Sequence, residues 1–259
     1  MPDEGRSPSS SAVLVVLHAT ADAIAASLRA ADDWALAGTR ADQYRSDLLA
    51  DSVALGLLSD AGFGVLSEES GLRDHERAVL VVIDPLDGST NASHRIPWYA
   101  TSLCALDADG PLASVVLNLA SGVRFEAARG RGARCDGVAI SPSSTAHLAD
   151  AMVSLSGLPP RHLGWRQFRS LGAAALDLCA VAAGVLDGFI DCSDNAHGVW
   201  DYLGALLVCR EAGAAVVDAF DRDLVVRDPA VRRTPVAAAN DVLLGEMVTA
   251  RRSFGASAS

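Results

Sequence analysis

A chain of 259 residues is long enough to bury a sizeable core, as one large domain or as two lobes. Hydrophobic residues make up 50% of it and aromatic ones only 5%, so that core is built from Ala, Val and Leu rather than from rings. The formal net charge of −11, the pI near 4.9 and the lack of any Lys/Arg cluster exclude a basic nucleic-acid-binding face. In chain order, residues 1–10 read as a disordered lead. From Ser11 to about Asp33, good helix formers with helical periodicity predict a helix. Its apolar stretch, Ala12–Ala31, is interrupted by His18, Asp22 and Arg29 and has no basic leader, which predicts a core helix rather than a signal peptide or a membrane span. After a polar segment, residues 38–47, a second helix is expected from about Leu48 to Ser59, capped by Ser46 or Asp47. Gly62 and Gly64 then turn the chain into a short strand, Phe63–Leu66, that ends in Ser67-Glu68-Glu69-Ser70.

The next stretch, AVLVVIDPLDGSTN at 78–91, carries the most information. Val79–Ile83 is a continuous β-branched run, as in a strand buried on both faces. It ends in Asp84, with Asp87 a turn later and Gly88-Ser89 behind it. Two carboxylates at the mouth of a buried strand are costly to desolvate unless something positive neutralises them. A hard divalent cation with oxygen ligands would do so. Pro85 stiffens the backbone so that both acids and the Leu86 carbonyl aim at one point. Gly88 permits close backbone approach to a ligand, and Ser89 offers a hydroxyl and an N–H at an expected helix start. Such residues also make ordinary turns and caps, so the motif needs support from elsewhere in the chain.

Beyond Asn91, strand-like pieces at Tyr99–Leu106, Leu112–Asn118 and Val123–Ala127, separated by turn residues, predict an antiparallel middle region. Ser141-Pro-Ser-Ser144 marks a lobe boundary, dividing an N-terminal lobe (11–140) that carries the aspartate motif from a C-terminal lobe (141–259) that closes the site. In the second lobe a strand is expected at Ala151–Ser156, a helix at Gly172–Ala183, and an acid-bearing strand at Val185–Asp191. An amphipathic helix then begins near Trp200-Asp201 and ends at Gly213, with Asp201 in its first turn. Strands at Ala214–Asp218 and Pro235–Ala239 and a helix at about Val242–Arg252 complete the order. Trp98 and Trp165 read as packing residues, and His197 as a loop cap rather than a substrate contact. The five cysteines are scattered and without C-x-x-C spacing, as for reduced thiols in a cytoplasmic protein.

Taken together, Ser-Glu68-Glu69-Ser, Asp84-Pro-Leu-Asp87-Gly-Ser-Thr-Asn and Trp200-Asp201 followed by Glu211-Ala-Gly resemble the inositol monophosphatase family, from roughly residue 12 to 252. The resemblance implies an α/β (α+β) fold, a layered α-β-α-β-α sandwich of the inositol monophosphatase and fructose-1,6-bisphosphatase type. It also implies a Mg²⁺-dependent phosphomonoesterase with two to three ions per site, acting on a small phosphorylated metabolite. Inositol monophosphate is the first expectation; the family rivals are 3′-phosphoadenosine 5′-phosphate, fructose 1,6-bisphosphate and histidinol phosphate. Carried over by position, Glu68, Asp84 and the Leu86 carbonyl match ligands of one ion, and Asp84, Asp87 and Asp201 those of a second. Glu68 also matches a contact to a third ion. Gly88 and Ser89 match the phosphate-binding N–H groups. Ser89 and Glu68 match the pair that activates an attacking water, and Asp47 an acid bonded to that hydroxyl. Gly172, Ala173 and Ala174 match the loop beside the substrate. Asp191 or Asp194 is the substrate-hydroxyl acid, and Asp87 and Asp201 also face substrate. Direct in-line attack by a metal-activated water, a homodimer, and no nucleic-acid or membrane partner complete the expectation.

The chain also departs from that pattern. Ser89 replaces a threonine, and the customary upstream lysine is not evident. The spacing from Asp187 to Asp201 is slightly long, and residues 152–172 are few, with Pro159-Pro160 where a helix is expected. A haloacid-dehalogenase-type phosphatase would need its second acid two residues after the first, whereas Asp84 and Asp87 are three apart. A catalytically weak metal- and phosphate-binding module of the same fold is the non-enzyme alternative.

Overall fold

Apolar, β-branched runs alternating with Ala- and Leu-rich helical stretches build two sheets with helices on and between them. The computed structural model describes residues 8–39 and 43–255. It begins with α1 (Ser10–Arg29), α2 (Arg45–Asp60), β1 (Gly64–Ser67), β2 (Gly71–Arg73), β3 (Leu80–Asp87) and α3 (Ser89–Ser93). The meander that follows holds β4 (Ala100–Asp107), β5 (Gly110–Asn118), β6 (Arg124–Ala128), β7 (Ala133–Cys135) and β8 (Val138–Ala139). The rest comprises β9 (Met152–Ser156), β10 (Gln167–Arg169), α4 (Ala174–Ala182), β11 (Gly188–Asp191), α5 (Val199–Ala212), β12 (Ala215–Asp218), β13 (Pro235–Ala238) and α6 (Asp241–Arg252). Residues 1–7, most of the expected disordered lead, lie outside the described residues.

The first sheet has the order β2-β1-β3-β4-β5-β6-β7-β8, and the second β10-β9-β11-β13-β12. On one face of the first sheet lie α1 and α2, which bury Val13, Leu17, Ile24 and Leu58 with Val65, Val81 and Ile83. Between the sheets lie α4 and α5, which pack Leu176, Leu203 and Leu206 against Val82, Val116 and Phe189. On the far face of the second sheet, Leu243 and Met247 of α6 pack with Val153, Ile190 and Val236. The layering is therefore α-β-α-β-α, as expected.

Helix α1 is long and apolar enough to cross a membrane by length and composition. Its stripe of Val13, Leu17, Ala21, Ile24 and Leu28, spaced three to four residues apart, is however buried against α2 and the first sheet. Helix α5 corrects the amphipathic expectation. Val199 and Trp200, and every residue from Tyr202 to Cys209, are buried, because α5 runs between two sheets and has no solvent face along most of its length. The cap of α2 is also corrected: Tyr44 is the N-cap, and Asp47 sits inside the first turn, its Oδ2 accepting from the Tyr44 N–H at 2.8 Å.

Candidate active site

Strands β1 and β3 run parallel, pairing Ser67 with Ile83. One residue further, the Glu68 N–H donates to the Ile83 carbonyl at 3.2 Å, which sets Glu68 beside Asp84. Instead of turning after Asp84, β3 continues to Asp87: Asp84 pairs with Ser102 and Asp87 with Ala100, so the strand carries one extra residue here. Pro85, which has no N–H to give the ladder, sits inside this bulge. The bulge re-aims both acids; the Leu86 N–H bonds Asp84 Oδ1 at 3.0 Å, and the Ala175 N–H of α4 bonds Asp87 Oδ2 at 2.8 Å. Asp201, in the first turn of α5, approaches from the opposite side. One carboxylate oxygen from each of Glu68, Asp84 and Asp201 lies within 4.8 Å of the other two.

This crowding leaves a clear electrostatic mark. Burial, then repulsion from Asp201, Glu69, Asp87 and Asp47, pushes Glu68 up to about 8. Burial and Asp201 push Asp87 to about 8 as well. Asp84 rises well above the usual carboxylate range through burial and the charges of Glu68, Asp87 and Asp201.

After β3, Gly88 takes a left-handed conformation (φ 82°) that aims Ser89 and the start of α3 into the cleft. A Cβ on Gly88 would stand 3.1 Å from the carbonyl oxygens of Gly172 and Trp98 and 3.2 Å from Ala173 Cβ. Asn91 holds the two segments together, donating from Nδ2 to the carbonyls of Trp98 (2.8 Å) and Leu171 (2.7 Å). Gly172, Ala173 and Ala174 accordingly line the cleft with Gly88 and Ser89. Asp47, in the first turn of α2, is buried and close enough to Glu68 that its charge contributes to the elevation there.

Of the lining residues, Asp177 goes unread in the sequence and His197 reads there only as a loop cap. Asp177 is buried in α4; it accepts from Trp98 Nε1 at 2.8 Å and Ser154 Oγ at 2.6 Å, and burial outweighs these bonds and lifts it to about 6. A lone acid in the otherwise apolar Ala174–Ala182 was the signal that could have found it. His197 does more than cap a loop. Its Nδ1 meets Asp201 Oδ2 at 3.0 Å and its Nε2 meets Ser156 Oγ at 3.0 Å. Burial opposes its charge, but the bond to Asp201 and the charges of Asp201, Asp191 and Asp87 raise it to about 9.

The two acids expected to meet a substrate hydroxyl are not among the residues lining the cleft. Asp191 ends β11 fully buried, its Oδ1 3.9 Å from His197 Nε2 and its Oδ2 without a hydrogen-bond partner. Asp194 is exposed and paired with Arg251. The physical reason lies in the long β11–α5 connection, which pairs His197 with Arg233 through two backbone hydrogen bonds and so brings the imidazole close to Asp191.

The cleft, about 270 Å³, is thus lined by Glu68, Asp84, Asp87, Asp177 and Asp201, with His197 as its one basic group among the described residues. Among the described residues no arginine lines it, and the chain contains no lysine. Such a donor set fits hard divalent cations and repels a bare phosphate.

Residues 37–254 match the profile of the inositol monophosphatase family. The chain belongs to that family. It is similar to a fructose-1,6-bisphosphatase of Pyrococcus furiosus, 32% identical over 201 residues covering 75% of this chain and 77% of the relative. An inositol-1-monophosphatase of Mesorhizobium japonicum is 35% identical over 195 residues, 67% of this chain and 71% of that protein. Among solved structures, the extragenic suppressor protein suhB of Bartonella henselae superposes with a TM-score of 0.80 at 30% identity, covering 93% of this chain and 98% of that one. As an inositol monophosphatase family member the chain is a phosphoric monoester hydrolase, of a metal-dependent family that acts on small phosphorylated molecules.

Proposed function

We propose that this family phosphatase is a Mg²⁺-dependent phosphomonoesterase that cleaves the phosphate ester of a small metabolite by in-line attack of water. The convergence of Glu68, Asp84 and Asp201 carries the reading. Glu68, Asp84 and the Leu86 carbonyl would hold one Mg²⁺, and Asp84, Asp87 and Asp201 a second, with Glu68 reaching a third. Mg²⁺ bound there supplies the positive charge that offsets the phosphoryl group and lowers the pKa of water. The backbone N–H groups of Gly88 and Ser89 hold the phosphate. The Ser89 hydroxyl, oriented by Asp47, works with Glu68 to set the attacking water in line and accept its proton. No phosphoenzyme forms: the ester P–O bond breaks as the water oxygen bonds phosphorus, and the leaving alkoxide takes a proton from solvent to depart as the alcohol.

Gly172, Ala173 and Ala174 form the wall beside the leaving group. Inositol monophosphate is the reference substrate from the family resemblance, with 3′-phosphoadenosine 5′-phosphate, fructose 1,6-bisphosphate and histidinol phosphate as the alternatives. The five free thiols support a cytoplasmic setting, and a homodimer follows from the family pattern alone. The test is phosphate release from these four esters with and without Mg²⁺, in the wild type and Glu68→Gln. The reading expects Mg²⁺-dependent release from at least one ester, reduced at least a hundredfold by the substitution. Mg²⁺ binding without release from any would favour a binding module instead.

A further inference from the structure

The segment between β9 and α4 leaves a second cavity, about 450 Å³, that opens beside the acidic cleft. The two share Leu155, Gly157 and Ser170. Their linings differ in kind. Where the cleft is carboxylate-rich, the bay is walled by Leu158, Pro159, His162, Trp165 and Phe168, with Arg161 as its one full-time charge among the described residues. Trp165 is buried and forms the fixed centre of a series of rings. His162 lies 4.8 Å from it at 55°, and Phe168 lies 6.0 Å from it at 58°. The outer members stay open to solvent: Leu158 is 90% exposed and Phe168 53%.

Volume and chemistry together define an occupant. At about 270 Å³ the cleft is just below the range of roughly 300–1,000 Å³ typical of small-molecule sites, and must also hold cations and phosphate. The bay adjoins the cleft at Ser170 and Gly157, so a substrate group that outgrows the cleft on that side meets the bay. A polyol there would lose water against walls that offer its hydroxyls few partners. A flat unsaturated ring would instead bury apolar area against Leu158 and Phe168 and meet tilted ring neighbours at favourable distances. Arg161 Nη2 is held by the Ser253 carbonyl and hydroxyl and His162 Nδ1 by the Gly164 N–H, which leaves His162 Nε2 to serve a heteroatom on its edge.

We propose that this apolar bay is the leaving-group subsite and selects phosphomonoesters whose alcohol carries an aromatic or heteroaromatic ring. The inference rests on the phosphatase reading of the adjacent cleft and adds the substrate class to it. Its test compares two ring-bearing esters, 2-phenylethyl phosphate and histidinol phosphate, with two ringless ones, inositol 1-phosphate and glycerol 2-phosphate. The wild type, Leu158→Ala and Phe168→Ala are assayed with Mg²⁺; both side chains are exposed, so folding is not at stake. Ring-bearing esters should have the higher kcat/KM. Each substitution should lower it about tenfold for them, mainly through KM, and change the ringless esters by less than twofold. Equal losses in both classes, no loss in either, or a ringless preference would overturn the proposal. So would a change of oligomeric state in Phe168→Ala, by sedimentation, since the bay would then be covered by a second copy. Turnover of none of the four esters would bear on the phosphatase reading instead, which 3′-phosphoadenosine 5′-phosphate and fructose 1,6-bisphosphate then test. In that event ligand-observed NMR with 2-phenylethanol decides the bay alone: contact in the wild type that is lost in Phe168→Ala upholds it, and no contact in the wild type overturns it.

Discussion

His197 joins two walls of the cleft through its hydrogen bonds to Asp201 and Ser156. Asp201 Oδ2 also accepts from the Gly198 N–H at 2.9 Å, so one carboxylate oxygen is fixed by two donors while the group faces the other acids. Partners of this kind are worth roughly 10- to 100-fold in metal affinity. His197→Ala is therefore expected to weaken Mg²⁺ binding about tenfold by calorimetry, with partial recovery in His197→Asn, which can still donate. Unchanged affinity in His197→Ala would remove His197 from the site. Asp177 makes a contrasting case, since its acceptors serve stability. Asp177→Leu would take the acceptor from buried Ser154 Oγ and half-buried Trp98 Nε1, which costs about 1–3 kcal/mol, measurable by urea denaturation. At this scale the sequence revealed the acids that end strands, because two carboxylates after a β-branched run need a reason. It did not reveal Asp177, whose partners lie 79 and 23 residues away, and it showed His197 only as a loop cap because Ser156, which ties it to the other wall, lies 41 residues away.

Among the elements, the junction of β3 and α3 carries most of the site. The extra residue between Asp84 and Asp87 turns a strand end into a ligand-bearing bend, and Gly88 completes it at φ 82°. Gly88→Ala would place a side chain in a left-handed conformation, costing about 1–2 kcal/mol before any clash. The carbonyls of Gly172 and Trp98 then crowd its Cβ. The expected result is a lower urea midpoint and at least a hundredfold loss of turnover, because a shift of ~1 Å at Ser89 is enough to disturb in-line geometry. Strands β1, β3, β4 and β5 were legible as apolar runs between turn residues. Strands β2, β7 and β10 have three residues each and β8 only two, too short for alternation to show. Helix α5 misled because Gly and Ala among its leucines resemble a polar face, whereas they allow close packing between sheets. A Cβ on Gly204 would stand 2.6 Å from Ser102 Oγ.

Over the whole molecule, the acids come from two adjoining layers: Glu68, Asp84 and Asp87 from the first sheet, Asp201 from α5 in the central helical layer. Folding therefore brings like charges together, and this links stability to pH. Glu68, Asp84 and Asp87 have folded-state values raised above their unfolded ones, to about 8 for Glu68 and Asp87. The folded, metal-free protein thus binds more protons than the unfolded chain between about pH 4.5 and 8, and its stability falls as pH rises through that window. Melting in EDTA should show Tm dropping from about pH 5 to pH 8, and added Mg²⁺ should restore it most at the alkaline end. A Tm that is flat or rises in EDTA would show that the acids are not coupled.

The central claim is that Glu68, Asp84 and Asp201 act as one cation site. Calorimetric titration of Mg²⁺ into the wild type and Asp84→Asn, at pH 8 on protein of matched secondary structure, tests it most directly. The account predicts saturable binding to the wild type, weakened at least tenfold by the substitution. Equal Mg²⁺ affinity in the two proteins would contradict it.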